Sequence, residues 1–209
     1  MIKIAVLVSG SGSNLQALID AHLSGEIVGV LSNKPEAFAL ERAHKAGIPT
    51  AVIEHKQYPS REAFDDVMHQ QLLDWDVDLV VLAGFMRILS EKFVKAWEGK
   101  MLNIHPSLLP HYKGMHTHQR VLNTGDVLHG CTVHYVTPEL DAGQALAQGV
   151  LKVSHQDTTH TLAQRVHVLE HLIYPQVVEW ICNGTIQHTE QGVLYRNAKM
   201  QEPVQFCKF

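Results

Sequence analysis

Cysteine is scarce in this chain: Cys131, Cys182 and Cys207 are the only three in 209 residues. An odd number without short paired spacing suggests neither a disulfide framework nor a cysteine-based zinc site, and it suits a reducing cytoplasm. Long apolar runs are missing too. Residues 1–8 run straight into Ser9-Gly10-Ser11-Gly12, too short to cross a bilayer and without the basic leader of an export signal, and no later run is long enough. Nor is there an excess of positive charge. Seventeen Lys and Arg against 21 Asp and Glu give a formal net charge of −4, so neither nucleic acid nor a membrane surface is expected as a partner. Anionic ligands must be captured locally.

A hydrophobic content of 45% is enough to build a core, in one domain of generous size or two small ones. Histidine is abundant, with 15 residues. His116-Thr117-His118 invites a metal reading, but it lacks a cysteine or a His-Glu-x-x-His frame, so the histidines are assigned to loops and surface and no metal is expected.

Residues 2–8 are a short apolar run that reads as a buried parallel strand. The turn Ser9-Gly10-Ser11-Gly12-Ser13-Asn14 follows, and Leu15, Leu18 and Ile19 then recur at helical spacing. Ser13 and Gln16 match a capping box, placing the helix start near Ser13. Such a turn offers free backbone N–H groups and the positive end of a helix dipole to a phosphate. A capped turn that binds nothing is the alternative. The third glycine of the dinucleotide fingerprint falls at Leu15 and no Gly-Lys-Ser/Thr follows, so neither that fingerprint nor a P-loop is present.

Strands over 27–31, 50–53 and 78–83 alternate with helices over 37–46 and from Ser60 to near Trp75, the latter carrying Phe64, Val67, Met68 and Leu72 at i, i+3, i+4 and i+8. This alternation predicts an α/β fold: a doubly wound, mostly parallel Rossmann-like sheet with helices on both faces. Beyond a strand at 101–105, the pattern predicts a short helix at 119–123 and antiparallel strands at 129–136 and 145–153. A long helix over 158–181, kinked at Pro175, follows. The expected division is a main domain over 1–183 and a peripheral hairpin and tail over 184–209.

The densest chemistry lies in Met101-Leu102-Asn103-Ile104-His105-Pro106-Ser107-Leu108-Leu109-Pro110. Strand alternation puts Asn103 and His105 on one face, and Pro106 ends the strand with the imidazole at its carboxyl edge, where open parallel sheets bind ligands. Asp141 sits at a loop tip that can fold over His105. An amide, an imidazole and a carboxylate can together bind a carbonyl, stabilise an oxyanion and move a proton without a Ser or Cys nucleophile. Met86-Arg87-Ile88-Leu89 offers an apolar wall for a flat heteroaromatic ring or, alternatively, ordinary core packing. The polar, glycine-containing stretch 111–118 reads as a mobile lid.

The run Asn103-Ile104-His105-Pro106-Ser107-Leu108-Leu109-Pro110 resembles the signature of the folate-dependent formyltransferases, and the resemblance extends over most of residues 1–183. It implies transfer of the formyl group of 10-formyltetrahydrofolate, the co-substrate, to the amine of glycinamide ribonucleotide in purine synthesis. His105, Asn103 and Asp141 would be catalytic. His105, kept as an imidazolium beside Asp141, and the amide of Asn103 would donate to the oxyanion. Gly12, Ser13 and Asn14 would seat the ribonucleotide phosphate, and Glu170, in Glu-His-x-Ile-Tyr-Pro, would reach the amine. Met86, Arg87, Ile88, Leu89, Asn103 and, in Ser-Arg-Glu-Ala-Phe, Arg61 would line the folate site. Lys113 departs from the family's usual Pro and bears on loop stiffness. A 10-formyltetrahydrofolate hydrolase and a catalytically silent nucleotide-binding module are the rival readings; the hydrolases usually carry a further N-terminal domain, whereas this chain starts at strand one. Small-molecule partners are expected, and the chain is expected to be a monomer or a homodimer.

Overall fold

The computed structural model describes residues 1–208. In chain order the elements are β1 (Lys3–Val8), α1 (Ser13–Asp20), β2 (Glu26–Ser32), α2 (Phe38–Lys45), β3 (Thr50–Val52), α3 (Arg61–Asp74), β4 (Leu79–Leu82), α4 (Glu91–Ala96), β5 (Met101–His105), α5 (Thr117–Thr124), β6 (Leu128–Tyr135), β7 (Ala145–Lys152), α6 (Thr159–Cys182), β8 (Ile186–Thr189), β9 (Gly192–Tyr195), β10 (Ala198–Lys199) and β11 (Val204–Lys208). One sheet carries eight of the strands in the order β11-β7-β6-β5-β4-β1-β2-β3. Pairing is parallel from β3 through β5, and β6 is antiparallel to both β5 and β7.

Because strand side chains alternate, the sheet feeds two separate cores. Ile4, Val6, Val8, Leu102 and Ile104 face α1, α2, α5 and α6, while Ala5, Leu7, Val80, Leu82 and Met101 face α3 and α4. The doubly wound α/β architecture and the C-terminal antiparallel strands are therefore as the periodicity predicts. Its carboxyl edge gathers the segments after β1, β4 and β5, and α6 is latched under that edge. The Tyr174 hydroxyl donates to the carbonyls of Leu82 at 2.8 Å and Leu102 at 3.3 Å.

Four local features differ from expectation. The first helix has Gly12 at its N-cap, in the left-handed region at φ 73°, with no side-chain cap, so the Ser13–Gln16 capping box does not form. A Cβ at Gly12 would stand 2.6 Å from that of Ala39, so close packing on α2 and the positive φ both require glycine there. In α3 the inward stripe takes Asp65 while Val67 faces solvent. α6 carries Pro175 within its span, and its N-terminus has a capping box, at Thr158 and Thr161, that the sequence pattern did not announce.

The fourth difference concerns the C-terminal segment. β8, β9 and β10 form the expected hairpin region as a separate three-stranded sheet, but β11 returns to pair in parallel with β7 as the edge of the main sheet. The tail is thus not peripheral along 204–208, and Phe209 lies outside the described residues. No helix among the described residues is long and apolar enough to cross a membrane.

Candidate active site

Asn103 and His105 project from β5 on the face shared with Met101, and the antiparallel register sets Asn103 opposite His134 and His105 opposite Thr132 on β6. Four polar side chains therefore share one patch of sheet. Asn103 Nδ2 lies 3.4 Å from His134 Nε2, and His134 Nδ1 lies 2.8 Å from its neighbour's carbonyl, Tyr135 O. A carbonyl can only accept, so Nδ1 carries the proton. Burial lowers the pKa of His134, which leaves Nε2 bare to accept the Asn103 amide. That contact orients the amide.

Asp141 sits in the left-handed region at φ 48°, a conformation aspartate tolerates better than most residues, and turns its carboxylate inward. Its Oδ2 is 3.4 Å from His105 Nδ1 and accepts the Gly114 amide at 2.9 Å, while its Oδ1 stays 3.8 Å from His134 Nε2. Both His105 and Asp141 are almost fully buried. On the other side of the ring, His105 Nε2 donates to Tyr112 O at 2.9 Å. Both ring nitrogens thus face oxygen acceptors. Donation from Nε2 to a substrate oxygen requires the Tyr112 carbonyl to give way.

The chain beyond β5 is held by polar partners. Thr132 Oγ1 donates to Ser107 O at 2.7 Å, Gln148 Nε2 to Leu109 O at 2.8 Å and Thr117 Oγ1 to Pro106 O at 2.6 Å. The expected lid, 111–118, is tied to α5 through the Tyr112 hydroxyl, which bonds Thr124 and Asp126, and through Arg120 Nη1, which donates to Lys113 O at 2.7 Å.

The glycine-rich turn and Glu170 meet directly. Asn14 Nδ2 donates to Glu170 Oε2 at 2.9 Å, and Glu170 lies on α6 one turn before the Tyr174 latch. Glu170 is 5% exposed, and burial pushes its carboxyl pKa up, opposed by the Asn14 bond. The turn itself is fixed on α2, where Arg42 Nε donates to Ser11 O at 2.8 Å and Nη1 to Gln16 Oε1 at 3.2 Å. Arg42 also brings a cation to the helix start. The open cleft of about 420 Å³ between α1 and α6, lined in part by Ala17, His171 and Pro175, contains none of these groups.

Residues 85–90 form an irregular segment after β4. Met86 and Ile88 are 63% and 67% exposed, so these apolar side chains face solvent rather than the core. Arg87 turns back over the Phe64 ring at 5.7 Å, and Leu89 packs against the core on the α3 side. Arg61 is exposed at the first position of α3, where its charge acts on Asp65 one turn along.

The structure brings Asn103, His105 and Asp141 together, and separately Asn14 and Glu170. Among the described residues Arg61 makes no hydrogen bond or ion pair with either group. Sequence reasoning missed His134 and Thr132. Alternation along β6 placed both on one face, but only the register against β5 shows which strand they meet. Among the described residues no three His, Cys, Asp or Glu side chains are grouped closely enough to hold a metal, and all three cysteines are free thiols.

A family model for formyl transferases matches residues 2–178. The chain is 47% identical over 195 residues to phosphoribosylglycinamide formyltransferase of Escherichia coli K12, covering 91% of this chain and 92% of that one. It is 49% identical over 194 residues to the human trifunctional purine biosynthetic protein adenosine-3, covering 91% of this chain but only 19% of that longer protein. The solved phosphoribosylglycinamide formyltransferase of Coxiella burnetii superposes with a TM-score of 0.94 at 44% identity, over 98% of this chain and 99% of the other. With the strand-borne Asn103 and His105, the turn at Gly12 and the long N-terminal match all in agreement, the chain belongs to the formyl transferase family, on the branch of the phosphoribosylglycinamide formyltransferases.

Proposed function

We propose that the protein transfers the formyl group of 10-formyltetrahydrofolate to the amine of glycinamide ribonucleotide, a step of purine synthesis. The observation that carries this reading is the 2.9 Å bond from Asn14, in the turn we take as the phosphate seat, to the buried carboxylate of Glu170 on α6, the helix that Tyr174 latches to β4 and β5. A phosphate on the Gly12, Ser13 and Asn14 amides, with Glu170 accepting from the glycinamide amine, gives the ribonucleotide two fixed points. The exposed apolar face of Met86 and Ile88, with Arg87 and Leu89 in the same segment, suits the flat ring of the folate, and Arg61 at the start of α3 is assigned to the same ligand.

The amine nitrogen attacks the formyl carbon and the carbonyl electrons move to oxygen. The Asn103 amide, held by His134, and the His105 N–H donate to that oxyanion. Collapse breaks the bond from carbon to the folate nitrogen. The attacking nitrogen gives up one proton and the leaving nitrogen gains one, with His105 the group placed to pass it on. Asp141 stands against the ring throughout and keeps its charge balanced.

The test is incubation of the protein with 10-formyltetrahydrofolate with and without glycinamide ribonucleotide. Formylated ribonucleotide and free tetrahydrofolate in equal amounts are expected, and only when the amine is present. Amine-independent release of formate would assign a hydrolase, and no consumption of the folate would assign a silent module.

A further inference from the structure

The phosphate turn and the folate wall are joined by one buried side chain. β1 is the strand at which the sheet order turns, with β2 on one side and β4 on the other, and such switch points open the crevice where α/β sheets take ligands. Ser9 leaves β1 and Met86 follows β4 across that crevice. The Ser9 hydroxyl donates to Asn33 Oδ1 at 2.6 Å and accepts the Met86 amide at 2.9 Å. Ser9 is 5% exposed and Asn33 is 3% exposed, so water does not compete freely for either bond.

From Ser9 the backbone passes directly into the Gly10 to Asn14 turn. That turn is clamped on its far side by α2: Gly10 O accepts Ala39 N at 3.0 Å and Ser11 O accepts Arg42 Nε at 2.8 Å. The wall has a second anchor of its own, since the amide of Ser90 donates to the buried carboxylate of Asp65 at 2.6 Å. Residues 86–90 are therefore suspended between Asp65, which belongs to the wall alone, and Ser9, which belongs to the wall and to the turn.

We infer that Ser9 is a positioning residue that couples the two substrate seats: a phosphate ester settled in the turn fixes Ser9, Ser9 fixes the Met86 end of the wall, and the wall then takes the folate more tightly. This rests on the proposed function for the identity of the two ligands. Because coupling between sites is reciprocal, bound folate must tighten the ribonucleotide by the same factor. One shared buried hydrogen bond supports a factor of about three to ten.

Hydrogen exchange on the full chain, with glycinamide ribonucleotide as the sole ligand, tests this without turnover. Protection of residues 10–16 reports the seat itself, and protection of 84–90 reports the coupling. The expected result is slowing of exchange in both segments for the wild type, and in 10–16 alone for Ser9→Ala. Ser9→Thr, which keeps a hydroxyl, is expected to restore protection of 84–90. In steady state Ser9→Ala should raise KM for both substrates by about threefold to tenfold, with a smaller change in kcat. Asn33→Ala, which removes only the acceptor, should weaken the protection of 84–90 in the same direction. The coupling is overturned if wild-type 84–90 is unaffected while 10–16 is protected, or if Ser9→Ala retains the full effect. Absence of protection at 10–16 would instead count against the ribonucleotide and hence against the proposed function.

Discussion

The polar face of β5 and β6 and the apolar segment 85–90, which follows the adjacent strand β4, are built in opposite ways. On the strands, Asn103, His105, Thr132 and His134 are set by ladder register, and nearly every polar atom already has a partner inside the protein. The wall has no ladder. It hangs from Ser9 at one end and Asp65 at the other, and between them Met86 and Ile88 leave most of their surface to solvent. The strand-borne polar groups are held by partners of their own, with His105 Nε2 occupied by the Tyr112 carbonyl, whereas the apolar surface is left open to whatever covers it. Preorganisation matters most where charge develops in the transition state, and area burial contributes to binding alone.

If that contrast is right, damage to the two regions separates kinetically. Asn103→Ala or His105→Ala should reduce kcat about a hundredfold or more with KM for the folate little changed, as expected for loss of an oxyanion donor. Steady-state kinetics on the purified variants gives the answer, and a wild-type kcat in His105→Ala would remove that ring from the chemistry. Glu170→Gln comes next. A Gln still accepts from Asn14 but lacks the charge for an amine, so KM for the ribonucleotide should rise on the order of 10- to 100-fold. Burial raises the pKa of Glu170, so its ionised form opposes folding, and that cost appears as pH rises from the unfolded value through the folded one. Above that window the Gln variant should melt no lower than wild type, which calorimetry over a rising pH series checks.

Ile88→Ser tests the wall. Ile88 is two-thirds exposed, and covering it by a ligand is worth about 1 to 2 kcal/mol, so KM for the folate should rise roughly tenfold while kcat holds. A fall in kcat instead would tie the wall to the chemistry.

The smallest effect on activity, as distinct from stability, is expected from the histidine pair beside the 111–118 segment. His118 Nδ1 and His129 Nε2 are 2.9 Å apart, and burial lowers both pKa values, that of His129 to about 4. A histidine whose folded pKa is depressed favours the folded state above its unfolded pKa of 6.5 and loses that contribution as pH falls toward the folded value. For His129 the loss amounts to on the order of 3 kcal/mol across the window, and α5 with the 111–118 segment should loosen first. Protection factors of 111–124, taken relative to the intrinsic exchange rate at each pH, should fall between pH 7 and pH 4.5, and His129→Gln should flatten the dependence. Protection that ignores pH would dissociate the pair from the neighbouring segment.

Much of this arrangement was legible in the amino-acid order. Five apolar residues from Ile4 to Val8 cannot be anything but interior, and Pro106 could only end β5, which put His105 at an edge. Asn103 and His105 had to share a face because strand side chains alternate with a period of two. The excess of histidine was harder to read, since the sequence gives no means of telling His134, bonded to Asn103, from one in solvent. Alternation fixes which residues lie together on one strand and is silent on which strand lies beside it.

The helix starts show the same boundary. Ser13 with Gln16 spells a capping box, yet the close approach of Ala39 on α2 forces Gly12 into a left-handed turn and leaves the cap unmade. Local spelling lost to a contact 27 positions away, between Gly12 and Ala39. Asp65 and Val67 exchanged sides for a similar reason, because the amide of Ser90 needed a buried acceptor.

By itself the sequence determined the layered α/β scaffold, the strand that ends in an imidazole and the inventory of groups for one-carbon transfer, because periodicity, proline stereochemistry and side-chain chemistry are local. Only the tertiary structure decided that Asp141 turns onto His105, that His134 orients Asn103, that Glu170 meets Asn14 and that residues 204–208 close the sheet edge. Those pairings join residues distant in sequence, and their distances are set by strand register and by the packing of α6 and α2.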